Sequence, residues 1–121
     1  MNLEGLMNIN GKVGIFKVIS QAKNMIICDL LNKFEVFKKQ SFVCIIGDGY
    51  GHLGILIKKL NPDTKIIYIN LGKNLLIDSY HYFQIFHDHK PLLLNKNNLS
   101  EINNYSVVLI EAENYNILEN I

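Results

Sequence analysis

Four glycines fall within eight residues, Gly47-Asp48-Gly49-Tyr50-Gly51-His52-Leu53-Gly54, directly after the unbroken apolar run from Phe42 to Ile46. A chain spaces glycines this densely where it turns sharply, takes positive φ, or lets another group approach its backbone, because glycine lacks the Cβ that forbids these conformations. An apolar run that stops at such a turn reads as a central parallel strand covered on both faces. The next segment, His52 to Leu60, returns to helical spacing and halts at Asn61-Pro62-Asp63, where proline blocks propagation. Strand, glycine turn and helix therefore follow in an order that aims the free N–H groups and the positive dipole end of the helix into the crevice at the strand's end.

The remaining chain continues the pattern. Lys65 to Asn70 (KIIYIN) is a second strand, rich in β-branched and aromatic residues. Upstream, Met25, Ile26, Leu30, Leu31, Phe34 and Phe37 recur at helical spacing between about Gln21 and Lys39 and predict an amphipathic helix packed on the sheet. Residues 1 to 20 mix Gly5, Gly11 and Gly14 with short apolar pieces and read mainly as loop. A further helix is expected from about Lys73 to Phe86, and a short third strand from Pro91 to Asn95. A turn or brief helix over residues 98 to 104, capped by Asn98 or Ser100, precedes a fourth strand from Ser106 to Ala112. This order implies right-handed crossovers and an α/β fold: a three-layer, Rossmann-like parallel sheet with flanking helices. At 121 residues the chain makes one domain, 1–121, of which 1–40 is an N-terminal loop and amphipathic helix. A domain of this size buries roughly two-thirds of its unfolded surface.

Charge and composition exclude several classes. Net charge is +1 and the lysines are spread along the chain, which argues against a nucleic-acid groove lined by one sign of charge. No apolar stretch is long enough to span a bilayer. The start, MNLEGLMNING, carries Glu4 and lacks the basic and long apolar regions of a secretory signal, so a cytoplasmic location is expected. Arginine is absent, which removes the bidentate fork often used to clamp phosphates. Cys28 and Cys44 sit inside apolar runs and read as small buried thiols. His81, His87, Asp88 and His89 cluster in sequence, but they straddle a helix end with no second group to complete a metal shell, so no metal is expected. The glycine loop lacks the Gly-Lys-Ser/Thr ending of a P-loop, and no nucleophile elbow is present.

The glycine loop admits two registers. Gly49, Gly51 and Gly54 give GxGxxG, the dinucleotide fingerprint, with a pyrophosphate on the helix N-terminus. Gly47, Gly49 and Gly51 give GxGxG directly after the strand, and the apolar pattern favours this one, since the strand has stopped by Asp48.

Together, VCIIGDGYGHLG, the NPD break, KIIYINLGKNLL and the aromatic SYHYF resemble S-adenosylmethionine-dependent methyltransferases, in particular the sugar O-methyltransferase group, whose loop also has the Gly-x-Gly-Tyr-Gly form. The likeness covers about Phe42 to Phe86, and Ser106 to Ala112 loosely. It implies S-adenosylmethionine as cofactor, with the backbone of Gly47, Asp48, Gly49 and Gly51 holding its methionine part. Tyr50 either covers the cofactor or packs beneath the loop, and Asn70 with Leu71 at the end of the second strand takes the ribose. The implied acceptor is a small molecule, a sugar hydroxyl, with His52 and His81 both open as the base. Two residues depart from the family: Ile45 stands where an acid usually precedes the first glycine by two positions, and Asn70 stands where an acid usually accepts the ribose hydroxyl protons. Glu111 and Glu113 end the fourth strand, as cofactor or substrate contacts or as solvated charges.

The resembling fold has seven strands, and this chain is expected to supply the first four, as the N-terminal part of such an enzyme or as a reduced form of the domain. Its order sets the third, second, first and fourth strands side by side and leaves the 106–112 edge for further chain, a second copy or a partner to cover. Two other readings stay open: a non-catalytic cofactor-binding or assembly module, suggested by Ile45 and Asn70, and an NAD-linked oxidoreductase.

Overall fold

A computed structural model describes residues 15–35 and 42–120. Along the chain come helix α1 (Ile15–Lys33), strand β1 (Phe42–Ile46), helix α2 (His52–Leu60), strand β2 (Lys65–Asn70), helix α3 (Gly72–Ile85) and strand β3 (Leu92–Leu93). A 3-10 helix (Leu99–Asn104), strand β4 (Val107–Glu111) and a second 3-10 segment (Ala112–Asn120), broken at Asn114, complete the order. The fold is α/β, with a four-stranded, all-parallel sheet between helical layers.

Most elements fall where the apolar periodicity places them, and their ends have local causes. Helix α2 stops at Asn61, whose N–H still reaches the Ile57 carbonyl, before Pro62 forbids another turn. The buried Lys58 then pins the α2–β2 connection, its ammonium donating to the Pro62 carbonyl and, at 2.9 Å, to that of Thr64. Helix α1 differs from expectation at both ends. Residues 15–20, expected as loop, are helical, and the helix closes at Lys33 with Glu35 in the left-handed region at φ 54°. Such a residue cannot continue a right-handed helix. The expected positions 36 to 39, Phe37 among them, and residues 1 to 14 lie outside the described residues.

The strand order is β1-β2-β4-β3, which corrects two expectations. Strand β4 does not present an open edge: residues 107–111 pair with β2 on one side (Ile66↔Val107 to Asn70↔Glu111) and with β3 on the other (Leu92↔Val108, Leu93↔Leu109). The first strand, expected at the centre, pairs within the described residues with β2 alone. Its Val43 and Ile45 face the helices, whereas Cys44 and Ile46 are exposed, the latter at 77%. KIIYIN takes the central place instead, with every residue from Ile66 to Asn70 buried. An unbroken apolar run marks a strand able to sit in a sheet interior, but both runs have that property and only β2 and β4 are buried on both faces.

Two cores follow from the alternation of side chains. Ile45, Ile66, Tyr68, Val107 and Leu109 pack against Cys28 of α1, Ile55, Leu56 and Ile57 of α2, and Leu75 and Tyr82 of α3. Ile67, Ile69, Val108 and Ile110 pack on the opposite face against Leu92, Leu94, Ile102 and Ile117. The crossovers that step outward, β1 to β2 and β2 to β3, run through α2 and α3 on one face. The one that steps back, β3 to β4, runs through the 3-10 helix on the other, as a constant crossover hand requires. No described helix is long and apolar enough to cross a membrane.

Candidate functional site at the carboxyl edge of the sheet

The glycine loop leaves β1 still tied to the sheet, since the Gly47 N–H donates to the Ile69 carbonyl at 3.0 Å. Gly47, Gly49 and Gly51 then take φ of +69°, +79° and +69°, alternating with Asp48 and Tyr50. An L-residue in this region costs about 1–2 kcal/mol, which explains the glycines. A Cβ at Gly47 or Gly49 would meet no atom within 4 Å, so this side of the loop is open to a ligand, whereas one at Gly51 would come 3.2 Å from the Asp78 backbone. Gly54 has a different role. It lies inside α2, where a Cβ would collide with the ring and hydroxyl of the buried Tyr68. The loop is therefore built on the GxGxG register, and the fourth glycine is a packing residue.

The N-terminus of α2 already holds an anion. The Asp48 carboxylate accepts the N–H of Leu53 at 3.2 Å through Oδ1 and that of Gly54 at 3.1 Å through Oδ2. It thus caps the helix from within the loop and meets the positive dipole end with its own charge.

Asn70 ends β2 as expected, buried, but its amide is committed. Its oxygen accepts the Leu71 N–H at 2.9 Å and the Asn74 amide at 3.4 Å, and its Nδ2 donates to Asp78 Oδ2 at 3.0 Å. Leu71, exposed, is the N-cap residue of α3 and supplies the first helical carbonyl rather than a side-chain cap.

Asp78 is the residue that sequence reasoning missed. It is fully buried beneath Gly51, bonded to Asn70 through one oxygen, and its Oδ1 has no partner among the described residues. Burial pushes its carboxyl above the usual carboxylate range; the Asn70 amide pulls it back, the Asp48 charge pushes it further up, and His81 pulls it down. The signal was present in NLLIDSYHY: Asp78 lies three residues after Leu75 and four before Tyr82, on the apolar stripe of α3.

Tyr50, His52 and His81 meet on the rim of the loop, with ring centroids 5.6 to 6.0 Å apart and planes within 29°. Tyr50 is exposed, so it does not pack beneath the loop. His81 Nδ1 lies 2.9 Å from the Tyr50 carbonyl oxygen, which can only accept, so Nδ1 carries the proton and donates. In the neutral ring, Nε2 then bears the lone pair. His87 lies edge-on to Phe83 and His89 stacks on Phe86 with Nδ1 3.3 Å from the Tyr82 hydroxyl, so both exposed rings lie against aromatic residues just past the end of α3, away from the glycine loop. Among the described residues no group of three or more His, Cys, Asp or Glu is arranged to hold a metal.

The exits of β2 and β4 diverge. The chain leaves β2 into α3 on one face and leaves β4 into the segment Ala112–Asn120 on the other. In open α/β sheets such a divergence between neighbouring strands opens the crevice where ligands bind. Here it falls between Asn70 and Glu111, which are paired in register. Glu111 is exposed, with Oε1 3.0 Å from where a Cβ on Gly72 would lie; Glu113 is exposed beyond the strand. A separate cleft of about 330 Å³ among Lys96, Leu99, Asn116, Ile117 and Glu119 lies toward the 3-10 segments.

The chain matches no family model, no curated protein and no solved structure.

Proposed function

We propose that the carboxyl edge of the sheet binds S-adenosylmethionine and that the protein transfers its methyl group to a hydroxyl of a small-molecule acceptor, a sugar being the class the loop's resemblance suggests. The observation that carries this reading is the Asp48 carboxylate on the Leu53 and Gly54 N–H groups. A dinucleotide pyrophosphate needs that helix end, and to take it would have to displace the carboxylate and then sit beside it. A sulfonium cofactor brings positive charge to a site bordered by the Asp48 and Glu111 carboxylates, and its amino-acid part needs only the open backbone of Gly47 and Gly49. The strand order differs from that of the resembling family, so the reading stands on the loop chemistry and not on the sheet.

When bound, the cofactor supplies an activated methyl group. The chain's own task is to hold the acceptor in line and take its proton. His81 Nε2, half-exposed on the loop rim and fixed as the unprotonated nitrogen by the Tyr50 carbonyl, is the group placed to receive it. We place this activity in the cytoplasm, a reducing compartment in keeping with two unbridged thiols.

Calorimetric titration of the purified chain with S-adenosylhomocysteine, with NAD titrated in parallel, tests the reading. Saturable binding of the first alone is expected. Binding of NAD alone would replace the proposal with an oxidoreductase, and binding of neither by a folded chain would leave a non-catalytic module.

A further inference from the structure

We infer that Asn70 and Glu111 form a subsite for a vicinal diol, with the Glu111 carboxylate accepting protons from two neighbouring hydroxyls and the uncommitted Asn70 amide N–H donating to one of their oxygens. The inference rests on the adenosyl reading of the loop for the identity of its ligand, the ribose of the cofactor.

Four observations converge on it. Asn70 and Glu111 are register partners on adjacent parallel strands. Side chains alternate along a strand, so each lies on the face of the residue two positions before it, Tyr68 and Leu109, which both face the helices. Their junction is also where the chain exits part to opposite faces, which opens the crevice.

The second observation concerns what Asn70 can still offer. Its oxygen is occupied by the Leu71 N–H and the Asn74 amide, while one hydrogen of Nδ2 goes to Asp78. The Leu71 donor and the Asp78 acceptor fix which way the amide faces. A ribose cannot therefore be held by Asn70 as an acceptor, which is the role an acid at this position would play. Only an N–H remains.

Third, the acceptor that β2 lacks stands on β4. Glu111 is exposed, and its carboxylate makes no hydrogen bond or ion pair among the described residues. A carboxylate with two free oxygens suits two adjacent hydroxyls, and charge-assisted bonds of this kind are roughly twice as strong as neutral ones.

Fourth, Gly72 leaves the crevice clear. A Cβ there would come 3.0 Å from Glu111 Oε1, so the carboxylate would have to shift by a few tenths of an ångström from its present place. Gly72 begins α3, a position where alanine serves a helix at least as well, so helix formation alone does not call for glycine.

Adenosine, 2′,3′-dideoxyadenosine and S-adenosylhomocysteine, each titrated into the wild-type chain, Glu111→Gln and Gly72→Ala, test the subsite. Wild type should bind adenosine roughly tenfold or more tighter than the dideoxy compound, and Glu111→Gln should erase that ratio. Gly72→Ala should reduce the same preference with an unchanged or raised melting temperature, which separates a displaced carboxylate from a damaged fold. If Glu111→Gln keeps the ratio, or binds S-adenosylhomocysteine as wild type does, the subsite is overturned while the cofactor reading stands. Diol-dependent adenosine binding without S-adenosylhomocysteine binding would keep the subsite and remove the methyl-donor reading. Silence from all three ligands would overturn both.

Discussion

The Tyr68 hydroxyl donates to the Gly51 carbonyl at 2.9 Å, and its ring fills the space that a side chain at Gly54 would need. One residue of the central strand thus fixes both the end of the glycine loop and the first turn of α2. Tyr68 is fully buried, and burial, with the Asp48 and Asp78 charges behind it, holds its hydroxyl in the protonated, donating form far above the usual tyrosine range.

Gly54→Ala should therefore be costly. Tyr68 is fully buried, and ring carbons as well as the hydroxyl stand in the way. Overpacking of this kind typically costs about 1–3 kcal/mol, and we expect the upper end. Urea denaturation would measure it, and pairing the change with Tyr68→Phe should not restore stability, because the ring remains. A loss under about 0.5 kcal/mol, the range of an ordinary surface change, would contradict this packing.

The loop glycines should respond differently. At Gly49 the open surroundings leave only the positive φ as an obstacle, so Gly49→Ala should cost about 1–2 kcal/mol and Gly49→Asn less, since asparagine tolerates the left-handed region. The comparison of denaturation midpoints checks the origin of the cost: equal losses for the two variants would point to a steric cause that the geometry lacks. Both variants should bind S-adenosylhomocysteine more weakly than wild type, because each puts a side chain on the open side of the loop.

Much of this arrangement is legible in the sequence, and the illegible parts have identifiable causes. FVCIIG, the NPD stop, KIIYIN and the helix over SYHYF are carried by local rules of period and chain breaking, and each is found within a few residues of its expected place. Strand order is not a local property. FVCIIG and KIIYIN have the same apolar pattern, and the pairing that makes β2 the centre is decided by residues 107–111, some forty positions away. At the site, the loop glycines and Asn70 were readable as types. That Asp48 caps its own helix, that Asp78 lies buried beneath the loop, and that His81 faces the Tyr50 carbonyl depend on how α3 docks, which no spacing within one segment encodes.

Asp78 sets a pH dependence. Its carboxyl titrates above the ordinary 3.8 in the folded protein, so the fold favours the protonated form. The stability this contributes is fully present below pH 3.8 and is lost as pH rises through the folded value. The groups around it are Asp48, His81, Asn70 and the Tyr68 hydroxyl. Asp78→Asn keeps an acceptor for Asn70 and removes the buried charge, so its stability should be flatter with pH above 3.8 and about 1 kcal/mol higher near neutrality. Denaturation midpoints measured from pH 4 to 7 would show it. A variant that is less stable at pH 7 would mean that the ionised carboxylate is favourably held.

The two cysteines should separate cleanly. Cys44, expected to be buried, is exposed on the open face of β1, whereas Cys28 is 1% exposed and burial pushes its thiol up to about 11. Cys44, though exposed, is desolvated in part by the surrounding strand, which also raises its thiol, so its reaction should be slow at neutral pH and speed up as the solution becomes alkaline. Titration of the native chain with an aromatic disulfide reagent should release one thiol equivalent, with the second appearing only on unfolding. Two equivalents from the native state would contradict the packing of α1 on α2.

The central seam of the sheet also dictates an order of assembly. β1 and β2 meet across 23 positions of chain, as Phe42↔Lys65, whereas β2 and β4 meet across 41, as Ile66↔Val107. Closing the longer span costs only about 0.5 kcal/mol more by chain statistics, but β4 can dock only on a β2 already ordered by α2 and Tyr68. The β1-α2-β2 unit is thus expected to act as the kinetic nucleus, with β4 sealing the core afterwards. In stopped-flow experiments Ile57→Val should slow refolding, whereas Ile110→Val should mainly hasten unfolding. The reverse pattern would place the nucleus at the β2–β4 seam. If the expected order holds, the glycine loop is shaped before the Asn70–Glu111 crevice exists, and the two halves of the carboxyl edge come together only in the last step of folding.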